Sequence, residues 1–349
     1  MIINILTFSK VYNRGANMQA YALKKYLEDR GAKVEFLDLQ LPISKEMNWR
    51  GRLFEYFQNQ VANRFRKHMH FCFTRKYKNL SDLKNDPPKA DVYVVGSDQV
   101  WNPSLTQKMG ALTYFFDFLP LQAKRVSYAA SIGDAIWKYG ELSPCIKEEL
   151  KKFAAISVRE NSAREICKRN FETDAEVVLD PTLLLTHSDL KDIIGLNRSV
   201  LKSQTFVYLL YNGSDTFSIT RLLHKLSGNK KIKGLSDSIF AKITRFYSIE
   251  NWLKQIDSSS LIITNSFHCM VMALLLHKEF IVIPPYPGRE TRMLSLLSKI
   301  GLVNRYVNSI EDITKLKELV ERKIDYIKVE DNLKVLRKKS EDFINNNIF

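Results

Sequence analysis

SSLIITNSFHCMVMALLLHKEFIVIPP, residues 259–285, is the stretch whose reading decides the fold. Leu261 to Thr264 is an apolar run that reads as a buried strand. Asn265 and Ser266 read as a short polar turn, residues 267–277 as a helix, and 280–283 as a second buried strand. A strand, a crossover helix and a parallel strand in so few residues make the βαβ unit of an open α/β sheet. Ligands in such sheets sit beyond the carboxyl ends of the strands, at helix N-termini. Asn265, Ser266 and His268 fall at that edge, polar residues in an otherwise apolar run. On these residues alone two readings stand. Ser266 caps the helix and His268 is a hydrogen-bonded surface histidine, or the three line a ligand site.

Upstream, the same alternation recurs. Residues 2–8 read as a strand, SKVYNRGAN as a polar loop, MQAYALKKYLEDR as an amphipathic helix closed by Gly31, and KVEFLDL as a second strand. This is a Rossmann-like opening in which Asn13, Gly15, Ala16 and Gln19 stand where GxGxxG is usual, small residues that let a ligand or a backbone approach the helix N-terminus. ADVYVVGSDQVWNP gives a buried strand ending at Gly96, Ser97 and Asp98, with Trp101 just beyond. RVSYAASIG gives another strand, residues 143–153 a helix, and AAISVRE a strand ending in Arg159 and Glu160. ENSAREICKRN is a helix, and AEVVLDPTLLL a strand stopped by Asp180 and Pro181. The alternation predicts a doubly wound sheet filling residues 1 to about 185. A second unit begins near Gln204 with TFVYLLYNGS, runs through the central stretch, and continues into a helix whose N-terminal side carries Arg289 and Arg292. Two charged helical segments form a tail, the last expected to pack back across the domains.

One segment differs. Between Arg50 and Lys78 lie Arg52, Arg64, Arg66, Lys67, Arg75 and Lys76, interleaved with Phe54, Tyr56, Phe57, Phe65, Phe71, Phe73 and Tyr77, with Glu55 the lone acid. It reads as a basic amphipathic helix inserted between strands. It would serve either as a contact with an anionic membrane or lipid-linked phosphate, or as a solvated helical face with an apolar underside.

With 349 residues the chain is long for one core, which favours two domains. No apolar run approaches the roughly 18 residues that span a bilayer. MIINILTF reads as a first strand, without a basic leader or a cleavage site. The four cysteines (Cys72, Cys145, Cys167, Cys269) are scattered, so neither a structural metal nor a disulfide framework is expected, and a reducing cytoplasm is the default. A net charge of +15 suits anionic substrates, an anionic membrane or nucleic acid. No zinc finger, RNP-like motif or basic heptad array supports the last, and nucleic acid is not expected as a partner.

Six motifs in order resemble the polysaccharide pyruvyl transferase family: YNRGANMQAYAL (12–23), DVYVVGSDQVWNP (91–103), SYAASIG (127–133), ISVRE (156–160), LDPTLLL (179–185) and TNSFHCMVMALLLHKEFIVI (264–283). The resemblance covers roughly residues 1–305, with the basic insertion and the tail as variable parts. It implies an α/β fold of two Rossmann-like, doubly wound domains facing a cleft, GT-B-like, with a C-terminal helical tail. The expected boundaries are 1–190 with the insertion at 44–86, 200–308, and 309–349. It also implies transfer of a pyruvyl group from phosphoenolpyruvate to a sugar, with no further cofactor, on a surface or exopolysaccharide precursor at the cytoplasmic side of the membrane.

That chemistry needs cations for a phosphate and a carboxylate, and Arg is the better bidentate clamp. Arg159 and Arg292 are the candidates, set to face one another across the cleft. Addition of a sugar hydroxyl to the enol carbon, then closure of the ketal with loss of phosphate, needs an acid/base near neutral pH. His268 is the one of six histidines in a strand-end loop of this type. In part of the family an Arg that holds the donor stands two positions before this His; here Ser266 takes its place and would donate a hydrogen bond without charge. Cys269 stands where Gly is common. Asp98 is a second candidate for catalysis, beside Trp101 as a surface for stacking a sugar, though capping the turn is an equal role for it. Asn265, Ser97, Asn13, Gly15 and Gln19 complete the expected substrate contacts. Two rivals remain: a GT-B glycosyltransferase using a nucleotide sugar, and a non-catalytic glycan-biosynthesis protein. No GxSxG or HExxH supports a hydrolase.

Overall fold

The computed structural model describes residues 1–39, 49–195, 202–210, 216–228, 231–233, 248–283, 290–307 and 313–349. The chain divides into two compact units, one of Met1–Leu184 with Leu336–Phe349, the other of Leu185–Val335.

The first unit is built on seven parallel strands: β1 (Ile2–Leu6), β2 (Lys33–Leu39), β3 (Phe73–Tyr77), β4 (Val92–Val95), β5 (Arg125–Ala130), β6 (Phe153–Val158) and β7 (Glu176–Val177). Their order is β3-β2-β1-β4-β5-β6-β7. IINIL and VYVV are near-continuous apolar runs because both faces of a parallel sheet are covered. One face carries Ile3, Leu23, Leu27, Val94 and Val126. The other carries Val95, Trp101, Phe115, Phe116 and Phe171. Strand order reverses between β1 and β4, the usual place for a ligand crevice.

Several boundaries depart from the expectations. The first helix runs Arg14–Glu28, not from Met18, because the Asn13 side chain accepts the Ala16 N–H and starts it four residues earlier. Gly15 and Ala16 therefore lie in its first turn. Gly31 follows the helix at φ +85°, a conformation that favours glycine. The helix expected over 143–153 stops at Leu150, and Phe153 opens β6. The strand expected to stop at Asp180 and Pro181 does end before them, but it is shorter than the sequence suggests. β7 is two residues long, and Pro181–Leu184 forms a 3-10 turn in which Asp180 accepts the Thr182 N–H and hydroxyl. The basic insertion is more than a helix. After Trp49–His68 it adds the edge strand β3, paired with β2, and a short helix, Leu80–Asn85. Phe71 stacks on Phe36 of β2 at 4.9 Å, so this segment is part of the fold.

The second unit has a four-stranded parallel sheet among the described residues, in the order β11-β10-β8-β9. Its strands are β8 (Lys202–Tyr208), β9 (Lys231–Lys233), β10 (Ser259–Thr264) and β11 (Glu279–Val282). The helix Phe267–Leu275 joins β10 to β11 and is buried at all nine positions, as its apolar sequence requires. Of the tail, Ile313–Glu321 packs through Leu316 and Leu319 onto Val207, Ile263 and Ile281 of this unit. The final helix, Tyr326–Asn347, contributes its part from Leu336 onward to the first unit. There Phe343 and Ile344 join the core and Ser340 accepts the Leu179 N–H at 2.9 Å.

Candidate functional site

The carboxyl edge of the first sheet is a buried polar network. Gln19, from the first helix, donates to the Thr7 hydroxyl at 2.9 Å, and Thr7 donates to the Ser97 carbonyl at 2.7 Å. The Ser97 hydroxyl donates to Asp180 at 2.8 Å, and Arg159 reaches the same carboxylate oxygen at 2.6 Å. Beside it Glu160 accepts three bonds through one oxygen: from the Ser131 hydroxyl at 2.9 Å, the Ile132 N–H at 3.0 Å and the Gly133 N–H at 3.1 Å. Four loops that follow β1, β4, β5 and β6 are thus sewn together with the segment after β7. Buried polar groups need partners, and here several of them bond to one another.

Arg159 has its side chain 2% exposed, 3.9 Å from Asp98 and 3.8 Å from Glu160 besides its bond to Asp180. Burial alone would pull its guanidinium down, but Asp180, Glu160 and Asp98 together hold it above the ordinary value. A cation already matched by three carboxylates is poorly placed to grip an anionic donor. Asp98 is the member of this group that reaches towards solvent, with its side chain 14% exposed. Its backbone is left-handed at φ +82°, as is that of Ala129 at +53°, and Asp98 bridges to Ala130 at the adjoining strand end. Backbone strain of this kind costs roughly 1–3 kcal/mol per residue and collects at functional sites.

Trp101 corrects the expectation of a sugar-stacking face. Its ring is buried against Phe115 at 5.2 Å and its indole N–H donates to the Tyr114 carbonyl at 3.0 Å. Asn13 is the exposed helix cap; Gly15 and Gln19 are buried behind it. A small open pocket lies at the ends of β1 and β2, lined by Thr7, Phe8, Lys10, Leu37, Met109 and Tyr114. Sequence reasoning missed it. The signal was Ser9 and Lys10 directly after the first strand, residues passed over as loop.

In the second unit the edge is built differently. Thr264 ends β10 and donates to the Tyr208 carbonyl; the Asn265 side-chain oxygen Oδ1 accepts the Leu210 N–H at 2.8 Å, tying β10 to β8. Ser266 is the N-cap, accepting the Cys269 N–H at 3.4 Å. His268 is the second residue of the helix, 7% exposed, its ring edge-on to Phe267 at 5.3 Å. β10 and β11 pair in parallel, and the next described helix after β11 is Thr291–Lys299, in which half-buried Arg292 is again the second residue. The helix after β10 and the next described helix after β11 therefore carry, at the same second position, a histidine and an arginine. The first turn of a helix also offers unsatisfied N–H groups to an anion. Arg289 lies outside the described residues.

The other histidines serve elsewhere. His187 contacts the Leu275 carbonyl, His224 the Thr205 hydroxyl, and His277 stacks on Tyr326 beside Glu330; His68 and His70 are exposed. Among the described residues no group of three His, Cys, Asp or Glu is set to hold a metal ion.

A family model described as polysaccharide pyruvyl transferase matches residues 13–285. Among curated proteins no relative matches the chain. Among solved structures, UGT89C1 of Arabidopsis thaliana complexed with UDP-L-rhamnose is similar at 10% identity, with 99% of this chain and 97% of that one covered and a TM-score of 0.50. MnaA of S. aureus with UDP is similar at 11% identity, covering 95% and 90%, TM-score 0.52. TcCGT1 in complex with UDP is similar at 9% identity, covering 98% and 94%, TM-score 0.50. At such identities the likeness shows the fold alone, and that fold is GT-B-like.

Proposed function

The chain belongs to the polysaccharide pyruvyl transferase family, and from that premise we propose that it moves the enolpyruvyl group of phosphoenolpyruvate onto a sugar of a surface or exopolysaccharide precursor. Membership makes it a transferase of polysaccharide biosynthesis. In the first step a sugar hydroxyl oxygen bonds to the enol carbon, its proton leaves, and the methylene carbon takes a proton to become methyl. In the second, a neighbouring hydroxyl bonds to the same carbon as the C–O bond to phosphate breaks. Its proton leaves with the phosphate, and the product is a cyclic pyruvate ketal.

His268 is the proposed acid/base for these transfers. Arg292 would hold the anionic groups of the donor, with the Ser266 hydroxyl and the first-turn N–H groups of Phe267–Leu275 as uncharged donors. This moves the weight of the clamp away from Arg159, whose charge is spent on Asp180. An acceptor carried on a lipid would bring the enzyme to an anionic membrane surface, which its charge of +15 suits.

The observation that carries the reading is the shared second position of His268 and Arg292 in the helices that follow two adjacent parallel strands. Calorimetric titration with phosphoenolpyruvate, beside a panel of nucleotide sugars, tests it without knowledge of the acceptor. Phosphoenolpyruvate should bind and nucleotide sugars should not. Binding of a nucleotide sugar in its place would overturn the donor, as would binding of neither.

A further inference from the structure

The helix Trp49–His68 has an outward face of unusual make-up. Trp49, Leu53, Tyr56 and Phe57 are exposed by 69%, 48%, 58% and 52%. Farther along, Arg64 and Lys67 are exposed. At 3.6 residues per turn all six fall within an arc of roughly 100°. The helix's inner side is separate: Ala62 and Phe65 are buried, with the Phe65 ring 6.0 Å from Tyr21 and 6.2 Å from Phe71. The aromatic face is thus not the one that holds the helix to its unit. One straight face reads apolar and aromatic in its first half and basic in its second.

Large apolar side chains gathered on one exposed face mark a contact surface. Its chemistry selects the partner. Trp and Tyr suit the boundary between headgroups and acyl chains, where one end of the ring is dry and the other wet. Arg and Lys on the same face suit lipid phosphates, and the chain as a whole carries 53 basic against 38 acidic residues. No helix among the described residues is long and apolar enough to cross a membrane, so the contact would be peripheral.

We infer that this face seats the protein on an anionic lipid bilayer, the aromatic half at the headgroup boundary and the basic half over lipid phosphates. Arg66, one residue from Lys67 in sequence, takes no part. It is buried and donates to the Ser9 carbonyl and to Asn17, and burial lowers its guanidinium to about 10. The inference deepens the proposed function, since lipid-linked acceptors reside at such a surface, but lipid binding itself does not depend on the donor.

Sedimentation with vesicles tests it. The protein should sediment with phosphatidylcholine vesicles containing phosphatidylglycerol and not with phosphatidylcholine alone. Trp49→Ala with Phe57→Ala, and separately Arg64→Glu with Lys67→Glu, should each weaken binding by roughly tenfold or more. Both variants should melt like the unmodified protein and bind phosphoenolpyruvate equally. Equal sedimentation of variant and unmodified protein would overturn the inference, as would no sedimentation at all. So would a dimer in solution that the aromatic variant dissolves, because the face would then belong to a second copy. Loss of phosphoenolpyruvate binding in the unmodified protein would sink the donor assignment and leave the vesicle result standing.

Discussion

The two sheet edges use polar residues for opposite ends. At the first, Gln19, Thr7, Ser97, Asp180, Arg159 and Glu160 bond chiefly within their own unit, to one another and to neighbouring backbone, and the gain is a fixed set of loops. At the second, Asn265 and Ser266 attend to strand and cap, and a histidine is set into the first turn of a helix. Polarity at a strand end is therefore not itself a sign of chemistry. A single charge faced by three carboxylates reads as a suture; the histidine at one helix start and the arginine at the same position of the next described helix are where the proposal puts the chemistry.

Substitutions can break this contrast. The largest effect should come from His268→Ala, which should slow transfer by about 10²–10⁴-fold while leaving the urea midpoint near that of the unmodified protein. Phosphate release from phosphoenolpyruvate in the presence of acceptor would read the rate. Arg159→Ala should do the reverse in kind. It strands Asp180 and Glu160 in the interior, and equilibrium unfolding should show a loss of about 3–5 kcal/mol. A stable Arg159→Ala protein without donor binding would undo the distinction between the edges.

Smaller changes sharpen it. At Gly133 the backbone is left-handed at φ +80°, and a Cβ would sit 2.2 Å from the Gln99 side-chain oxygen. Gly133→Ala should cost about 1–3 kcal/mol in a urea melt, because the loop that feeds Glu160 its N–H would have to shift. Ser266→Ala removes only a cap bond, so thermal unfolding should register about 1 kcal/mol. If Ser266 also touches the donor, binding should weaken by more than that loss of stability accounts for.

How far the sequence reaches can be judged residue by residue. The βαβ unit around His268 was legible because burial on both faces leaves a long apolar run, and any polar residue in it stands out. β3 was not, since FTRKY is an edge strand in which Tyr77 alone is fully buried, hidden among basic residues that resemble a helical face. Trp101 and Arg159 looked available because sequence shows adjacency to a strand end but not depth; only packing puts Trp101 under Phe115 and Arg159 beside Asp180. The early start of the first helix was hidden by Gly15, a residue that discourages a helix unless a cap such as Asn13 precedes it.

The most direct measurement is a calorimetric titration of phosphoenolpyruvate into Arg292→Ala and Asp98→Asn, side by side. Asn tolerates the left-handed backbone at position 98, so that variant should fold. Binding should be lost in Arg292→Ala and retained in Asp98→Asn. The opposite result would put the donor on the first edge and contradict the assignment of the second as the seat of its chemistry.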